Sequence, residues 1–161
     1  VLMLALPARA TSFATDASDL WFNTAEQGWG MNVVQQVDTL FITIYVYGQD
    51  GQPTWFVASS VKAEAGRTTL PINYTGELYR VTGPYFGGVF NPATVNVRKV
   101  GTIVFRHDTV NTASVDYSAD GVNVSKAVVR QTCRASRERG GFTSNCTFWA
   151  PDASIVSTIM L

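Results

Sequence analysis

The chain has 161 residues and carries twelve Lys or Arg and twelve Asp or Glu side chains, so its formal net charge is zero. A chain of this length buries roughly two-thirds of the surface that its unfolded form exposes, which lets it fold as one domain without metal ions or many disulfides. The balanced charge gives no reason to expect nucleic acid or an acidic membrane to bind across a whole face.

The first segment of the chain resembles the end of a secretory signal peptide. Residues 1–10 read VLMLALPARA, an apolar run followed by the small-x-small sequence Ala8-Arg9-Ala10. We therefore expect a secreted, periplasmic or cell-surface protein, with residues 11–18 as a flexible lead-in; a tail of the mature chain is the alternative reading of residues 1–10. No run approaches the roughly 20 apolar residues of a membrane-spanning helix, so no membrane span is expected.

Residues 39–47 (TLFITIYVY) have the strongest strand pattern, since nearly every position is β-branched or aromatic. Asp50-Gly51 follows and predicts a two-residue turn with positive φ at both residues, which places the next strand antiparallel beside this one. The same reasoning along the chain predicts eight strands, at residues 20–22, 31–37, 39–47, 53–61, 67–81, 95–107, 112–118 and 122–131.

The connections between these strands predict the topology. A second Asp-Gly pair at residues 120–121 predicts another tight hairpin, and Gly101 predicts a kink or bulge. Residues 82–94 (TGPYFGGVFNPAT) form a long irregular loop whose aromatic side chains need shelter, which makes the loop a candidate lid. Nearly all other connections have hairpin length, so we expect an all-β, antiparallel, eight-stranded up-and-down meander barrel, with a β-sandwich as the alternative.

One motif carries a resemblance to a known group of proteins. The pattern W-x-N-x-x-E-x-G-W-G, formed by Trp21, Asn23, Glu26, Gly28, Trp29 and Gly30, is followed by characteristic segments at residues 50–55, 76–84 and 100–102. Together they resemble an uncharacterised secreted β-rich module of proteobacteria, although Phe22 stands where many relatives have a second tryptophan. The resemblance covers about residues 19–131 and implies export and a β-rich fold, but no catalytic residue. The aromatic pair before Asn23 also resembles the first strand of avidin-type barrels, and the expected meander barrel as a whole is lipocalin- or avidin-like; both are analogies at the level of fold.

The two cysteines, Cys133 and Cys146, lie beyond this motif. An even count in an exported chain favours a disulfide, which stabilises a loop of this size by about 3 kcal/mol. We expect residues 19–150 to form one β domain that ends in this disulfide loop, with residues 151–161 as a tail. Two cysteines and the single, distant His107 do not make a four-ligand zinc site, so neither metal nor cofactor is expected.

Two groups of side chains are candidate binding sites. Aromatic residues on predicted strands could line a pocket for a small molecule, although core packing is the competing explanation. A run of cations near the cysteines could bind an acidic surface polymer such as lipopolysaccharide, whereas nucleic acid is not expected because no aromatic residues alternate with the arginines. The aromatic candidates are Trp21, Trp29, Tyr45, Tyr47, Trp55 and Tyr79, and the anion-binding candidates are Lys126, Arg130, Arg134, Arg137 and Arg139.

These features favour a non-enzymatic binding module for a small apolar or sugar-like molecule or a cell-surface partner. The first alternative is a small hydrolase, in which Glu26 beside the tryptophans acts as an acid or His107 acts as a base. We expect His107, however, to lie in an exposed hairpin turn, because the strand pattern ends there. The second alternative is a structural domain of the cell envelope. The pattern carries no indication of oligomeric state.

Overall fold

The structure, a computed structural model, describes residues 16–131 and the backbone of three further strands between residues 133 and 160. Eight antiparallel strands follow one another in chain order around a closed barrel. The predicted up-and-down meander barrel is confirmed, and the β-sandwich alternative is wrong. The strands are β1 Asp19–Phe22, β2 Gly30–Gln36, β3 Thr39–Tyr47, β4 Pro53–Ala63, β5 Ile72–Thr82, β6 Asn96–His107, β7 Thr112–Ala119 and β8 Val122–Arg130.

The barrel closes where the short strand β1 pairs with β8. Trp21 lies opposite Arg130 and Phe22 opposite Val129, and the Gln131 N–H donates to the Leu20 carbonyl at 2.8 Å. Closure satisfies the backbone groups that an open sheet would leave at its two edges.

Side chains alternate between the inside and the outside of the barrel along each strand, as the pleat requires. The inward-facing set is almost entirely aliphatic or aromatic, and each fully buried side chain of this kind stabilises the fold by about 1.5–3 kcal/mol. The central core consists of Trp21, Met31, Val33, Leu40, Ile42, Ile44, Ala58, Val61, Ile72, Tyr74, Leu78, Ile103, Phe105, Val115 and Val128.

Gly101 marks a bulge, as predicted from the sequence. Leu78 of β5 pairs with Gly101 of β6 whereas Tyr79 pairs with Lys99, so Val100 is the extra residue of the bulged strand. A Cβ atom at position 101 would collide with the backbone carbonyl of Ser118 on the neighbouring strand. The glycine therefore lets β6 and β7 approach each other where the sheet bends.

The two Asp-Gly pairs behave differently. Asp120 and Gly121 both have positive φ, and Ala119 pairs directly with Val122, so the predicted two-residue turn is confirmed. At the first pair only Gly51 has positive φ, and residues 48–52 form a longer connection. Here the Asp50 carboxylate accepts a hydrogen bond from the Gln52 N–H at 3.0 Å and stabilises a wider turn. The prediction of a two-residue turn at this position is wrong.

Strand β5 is shorter than expected. It begins at Ile72 rather than at residue 67, and residues 64–71 form a connection in which Arg67 pairs with Glu64 at 2.7 Å. Pro71 ends this connection, and its missing N–H cannot contribute to a strand ladder.

Beyond the barrel, a second sheet occupies part of the segment expected to hold a loop and a tail. Its strands are β9 Cys133–Glu138, β10 Gly141–Cys146 and β11 Ser157–Met160, in the order β11-β10-β9. The register places Cys133 opposite Cys146, but their side chains lie outside the described residues, so the disulfide stays a prediction. The signal-peptide resemblance of residues 1–10 also falls outside the described part. Within the described residues, no helix is both long and apolar enough to cross a membrane.

His107 is fully buried, and the expectation of an exposed turn is wrong. It is the last residue of β6 and faces inward in the same alternation as Phe105, so the turn begins one residue later at Asp108. Burial lowers the pKa of His107, the positive charge of Arg130 lowers it further, and Val110, Asp108 and Asp16 have smaller opposing effects. The folded protein therefore favours the neutral imidazole.

We predict that stability falls as the pH is lowered below about 6.5, the ordinary pKa that His107 regains on unfolding. The unfolded chain then binds a proton that the folded chain excludes, so the free energy of unfolding decreases by up to about 1.4 kcal/mol per pH unit until the folded pKa is reached. Urea unfolding between about pH 5 and 7 measures this slope, because carboxylates titrate mainly below that window. His107→Phe should flatten it, and an unchanged slope in this variant would contradict the assignment.

Candidate functional site: the open end of the barrel

One end of the barrel is filled by aromatic side chains. Trp21 packs edge-on against Phe105 and His107, with ring centroids 5.5 and 5.4 Å apart, and its indole N–H donates to the Ala17 carbonyl at 3.0 Å. The Arg130 guanidinium stacks over the Trp21 ring at 4.9 Å from its centroid. These contacts fill this end of the barrel with side chains of the described residues.

The opposite end contains a cavity of about 660 Å³. Its inner wall is apolar and consists mainly of the half-buried Val46, Phe56 and Val124 with the ring of Tyr117. The cavity lies at the last inward-facing positions of β3 and β7 and the first of β4 and β8, next to the turns. Its volume falls within the range of roughly 300–1,000 Å³ that is common for small-molecule sites.

Tyr117 is held in place from behind by Trp29. The Trp29 indole N–H donates to the Tyr117 hydroxyl at 3.3 Å, and the Lys126 ammonium lies 5.4 Å from the Trp29 ring centroid. Lys126 also pairs with Glu26 in the connection that precedes β2. Trp29 itself is only 8% exposed, which agrees with a packing role next to the cavity wall.

The rim of the cavity carries charged groups. Arg98 makes a bidentate ion pair with Asp120, at 2.5 and 2.8 Å, and this contact holds the pKa of the Asp120 carboxyl below its ordinary value. Arg80 also lines the cavity and adds a weaker effect in the same direction. On the other side, Gln49, Asp50 and Gln52 of the β3–β4 connection complete the rim.

The six aromatic candidates do not share one surface. Trp21 lies at the closed end and Trp29 behind the cavity wall, whereas the other four project from the outer face of β3, β4 and β5. Among the six, Tyr47 alone lines the cavity, at its outer edge. The outer-face residues are Tyr45, Tyr47, Trp55 and Tyr79, of which Tyr79 donates its hydroxyl to Glu77. Their role in ligand binding stays a prediction.

Most residues of the cavity were not among the candidates from the sequence, and Val46, Phe56 and Arg80 are examples. Each occupies an inward-facing position of its strand near the open end of the barrel. The alternation of side chains along a strand, combined with the closure of the barrel, would have located these positions. The sequence alone did not indicate which face of the sheet becomes the inside of the barrel.

The cationic candidates are divided as well. Lys126 and Arg130 are on β8 and face the inside of the barrel. Each side chain stacks on a tryptophan, and Lys126 pairs with Glu26 whereas Arg130 pairs with Asp19. These two are therefore already neutralised within the fold. The side chains of Arg134, Arg137 and Arg139 lie outside the described residues, and their binding of anions stays a prediction.

The β5–β6 loop does not cover the cavity, although it leaves the barrel at the same end. Its side chains Tyr85, Phe86, Val89 and Phe90 are exposed, Phe86 by 94%, and none of them lines the cavity. The expectation that they shelter on the domain is wrong. The Tyr85 and Phe86 rings instead pack on each other, with centroids 4.7 Å apart.

Neither proposed catalytic residue is placed for hydrolysis. Glu26 is engaged by Lys126, and His107 is buried in the closed end of the barrel, away from the cavity. Within the same part of the chain, no three His, Cys, Asp or Glu side chains come together as a potential metal site.

Comparison with known proteins does not assign the chain to a family: no family model matches the sequence, and no curated protein or solved structure matches it. The class of molecule is therefore defined by its own structure, as a closed eight-stranded antiparallel barrel with one filled and one open end.

We predict that Trp29→Ala lowers the free energy of unfolding by about 3–5 kcal/mol, because it removes a buried indole and its hydrogen bond to Tyr117. Trp55→Ala is the matched control, since Trp55 is 50% exposed on the outer face and its loss should cost only about 1 kcal/mol. Urea unfolding midpoints measure both. Equal midpoints for the two variants would show that Trp29 does not support the open end.

Proposed function

We propose that this protein is a secreted or periplasmic binding protein that takes a small, largely apolar molecule into the open end of its barrel. The observation that carries the proposal is the cavity of about 660 Å³ bounded by inward-facing apolar side chains. A packed barrel with no binding role would be expected to fill such a space with larger residues, as this chain does at its closed end with Trp21 and Phe105.

The wall of the cavity favours an apolar ligand over a sugar. Val46, Phe56 and Val124 offer no hydrogen bonds, and apolar surface exceeds polar surface in the lining as a whole. A ligand that buries about 300 Å² of apolar surface there gains roughly 7 kcal/mol before the entropic cost of association, so micromolar to millimolar affinity is the expected range.

Export is part of the same proposal. It is supported by the signal-peptide resemblance of residues 1–10, by the similarity of the Trp21–Gly30 motif to secreted modules, and by the register that sets Cys133 opposite Cys146. Cross-strand cysteine pairs are typical sites of disulfides in oxidising compartments.

Titration with N-phenyl-1-naphthylamine, a neutral probe whose fluorescence rises in apolar sites, tests the proposal. Ala119 lines the cavity, so Ala119→Trp should fill it and weaken binding at least about tenfold. Ala127→Trp is the matched control, because residue 127 is exposed on β8 and lines none of this cavity. This variant should bind like the parent.

The unfolding midpoints of both variants are measured alongside, so that loss of binding is not confused with loss of folding. No saturable binding by the parent, or equal binding by the two folded variants, would contradict a ligand site at the open end. The first of these results would favour a purely structural domain.

A further inference from the structure

The charges at the rim of the cavity specify the ligand more closely, on the basis of the proposed function. Arg80 lies near the end of β5 and lines the cavity together with Phe56 and Tyr117. In the β5–β6 ladder it stands directly opposite Arg98, so two guanidinium groups share one stretch of the rim. Like charges directly opposite each other destabilise a sheet.

One carboxylate serves these two arginines. Asp120 gives both of its oxygens to Arg98, and Arg80 makes no ion pair among the described residues. Every other lysine and arginine in that part of the chain is ion-paired. These pairs are Lys62–Asp38, Arg67–Glu64, Arg98–Asp120, Lys99–Glu77, Arg106–Asp108, Lys126–Glu26 and Arg130–Asp19.

The location of Arg80 beside the cavity gives its unpaired charge a possible partner, namely a ligand in the cavity. Arg80 is exposed at the edge of an apolar cavity, where a molecule bound in the cavity would shield the guanidinium from water and strengthen its attraction to an anion. A guanidinium presents a planar set of donors that matches a carboxylate, sulfate or phosphate group in a bidentate contact. Arg80 is therefore positioned to bind a negatively charged group of a molecule whose apolar part occupies the cavity.

We propose that the ligand is a monomeric amphipathic anion, with its apolar body against Phe56 and Val124 and its acidic group on Arg80. The neighbouring Arg98–Asp120 pair adds no net charge to the rim, and the Asp50 carboxylate on the other side of the rim would repel an acidic group, so the acidic group belongs on the Arg80 side. Neutral apolar molecules of the same shape should bind more weakly.

Two probes that differ by one acidic group test this inference. 8-Anilinonaphthalene-1-sulfonate carries a sulfonate, whereas N-phenyl-1-naphthylamine has the same aromatic framework without it. The parent should prefer the anion at low ionic strength, and Arg80→Gln should reduce this preference about tenfold or more while it changes binding of the neutral probe by less than about twofold. Arg80→Lys, which keeps the charge but not the bidentate geometry, should give an intermediate preference.

Arg67→Gln is the control for net charge, because it removes one positive charge at the other end of the barrel and should leave the preference unchanged. The unfolding midpoint of Arg80→Gln should equal or exceed that of the parent, since the substitution relieves the repulsion from Arg98. Displacement of the anionic probe by decanoate, but not by decanol, would further support a monomeric acid.

The outcomes separate the two proposals. If the neutral probe binds at the cavity and Arg80→Gln leaves the anion preference unchanged, the role of Arg80 is wrong and the binding function stands. If neither probe binds the parent, both proposals are wrong. Displacement by vesicles of anionic phospholipid, without displacement by decanoate, would contradict a monomeric ligand.

Discussion

The barrel depends on the contact between its first and last strands. β1 has only four residues, and two of them pair directly with β8. Side chains strengthen this seam at several points. The Asn23 amide donates to the Ala127 carbonyl at 3.2 Å, Glu26 pairs with Lys126, and the Arg130 guanidinium donates to the Ser18 and Asp16 carbonyls at 3.3 and 2.7 Å. Without the seam, two strand edges and the aromatic core would be exposed to water.

The tryptophan motif at residues 21–30 stabilises the contact between β1 and β8 that closes the barrel. Trp21 fills the closed end, Asn23 and Glu26 reach across to β8, and Trp29 supports Tyr117 at the open end. Gly28 has φ near +83°, and a Cβ atom there would collide with the Tyr47 ring, so no other residue fits the turn easily. The spacing of the motif thus follows from barrel closure, and the proposed binding site lies beside the motif rather than within it.

Much of the architecture could be read from the sequence because strand patterns are local. The dense β-branched run of β3 and the Asp120-Gly121 turn each determine their own conformation. The same locality explains the errors. β3 is apolar on both faces, so its pattern does not tell whether Ile44 or Tyr45 faces inward. Likewise, the end of the β6 pattern did not show that its last residue, His107, remains buried.

The candidate site required information that no local pattern holds. Arg80 and Phe56 come together only after the sheet closes, and the significance of Arg80 depends on Asp120 being already paired with Arg98. Distances between strands that are far apart in sequence decide such properties. Composition showed only that the total charge balances, and this balance conceals the fact that Arg80, among the described residues, has no carboxylate paired with it.

The two ends of the barrel differ: aromatic side chains fill one end, and we propose that the other accepts a ligand. Nuclear magnetic resonance of the isotope-labelled protein, titrated with the neutral naphthylamine probe, tests this difference most directly. The backbone amide signals of Val46, Phe56 and Val124 should shift in a saturable way, while those of Trp21 and His107 stay in place. Shifts centred on the outer-face Tyr45 and Trp55, or on the closed end, would contradict the claim.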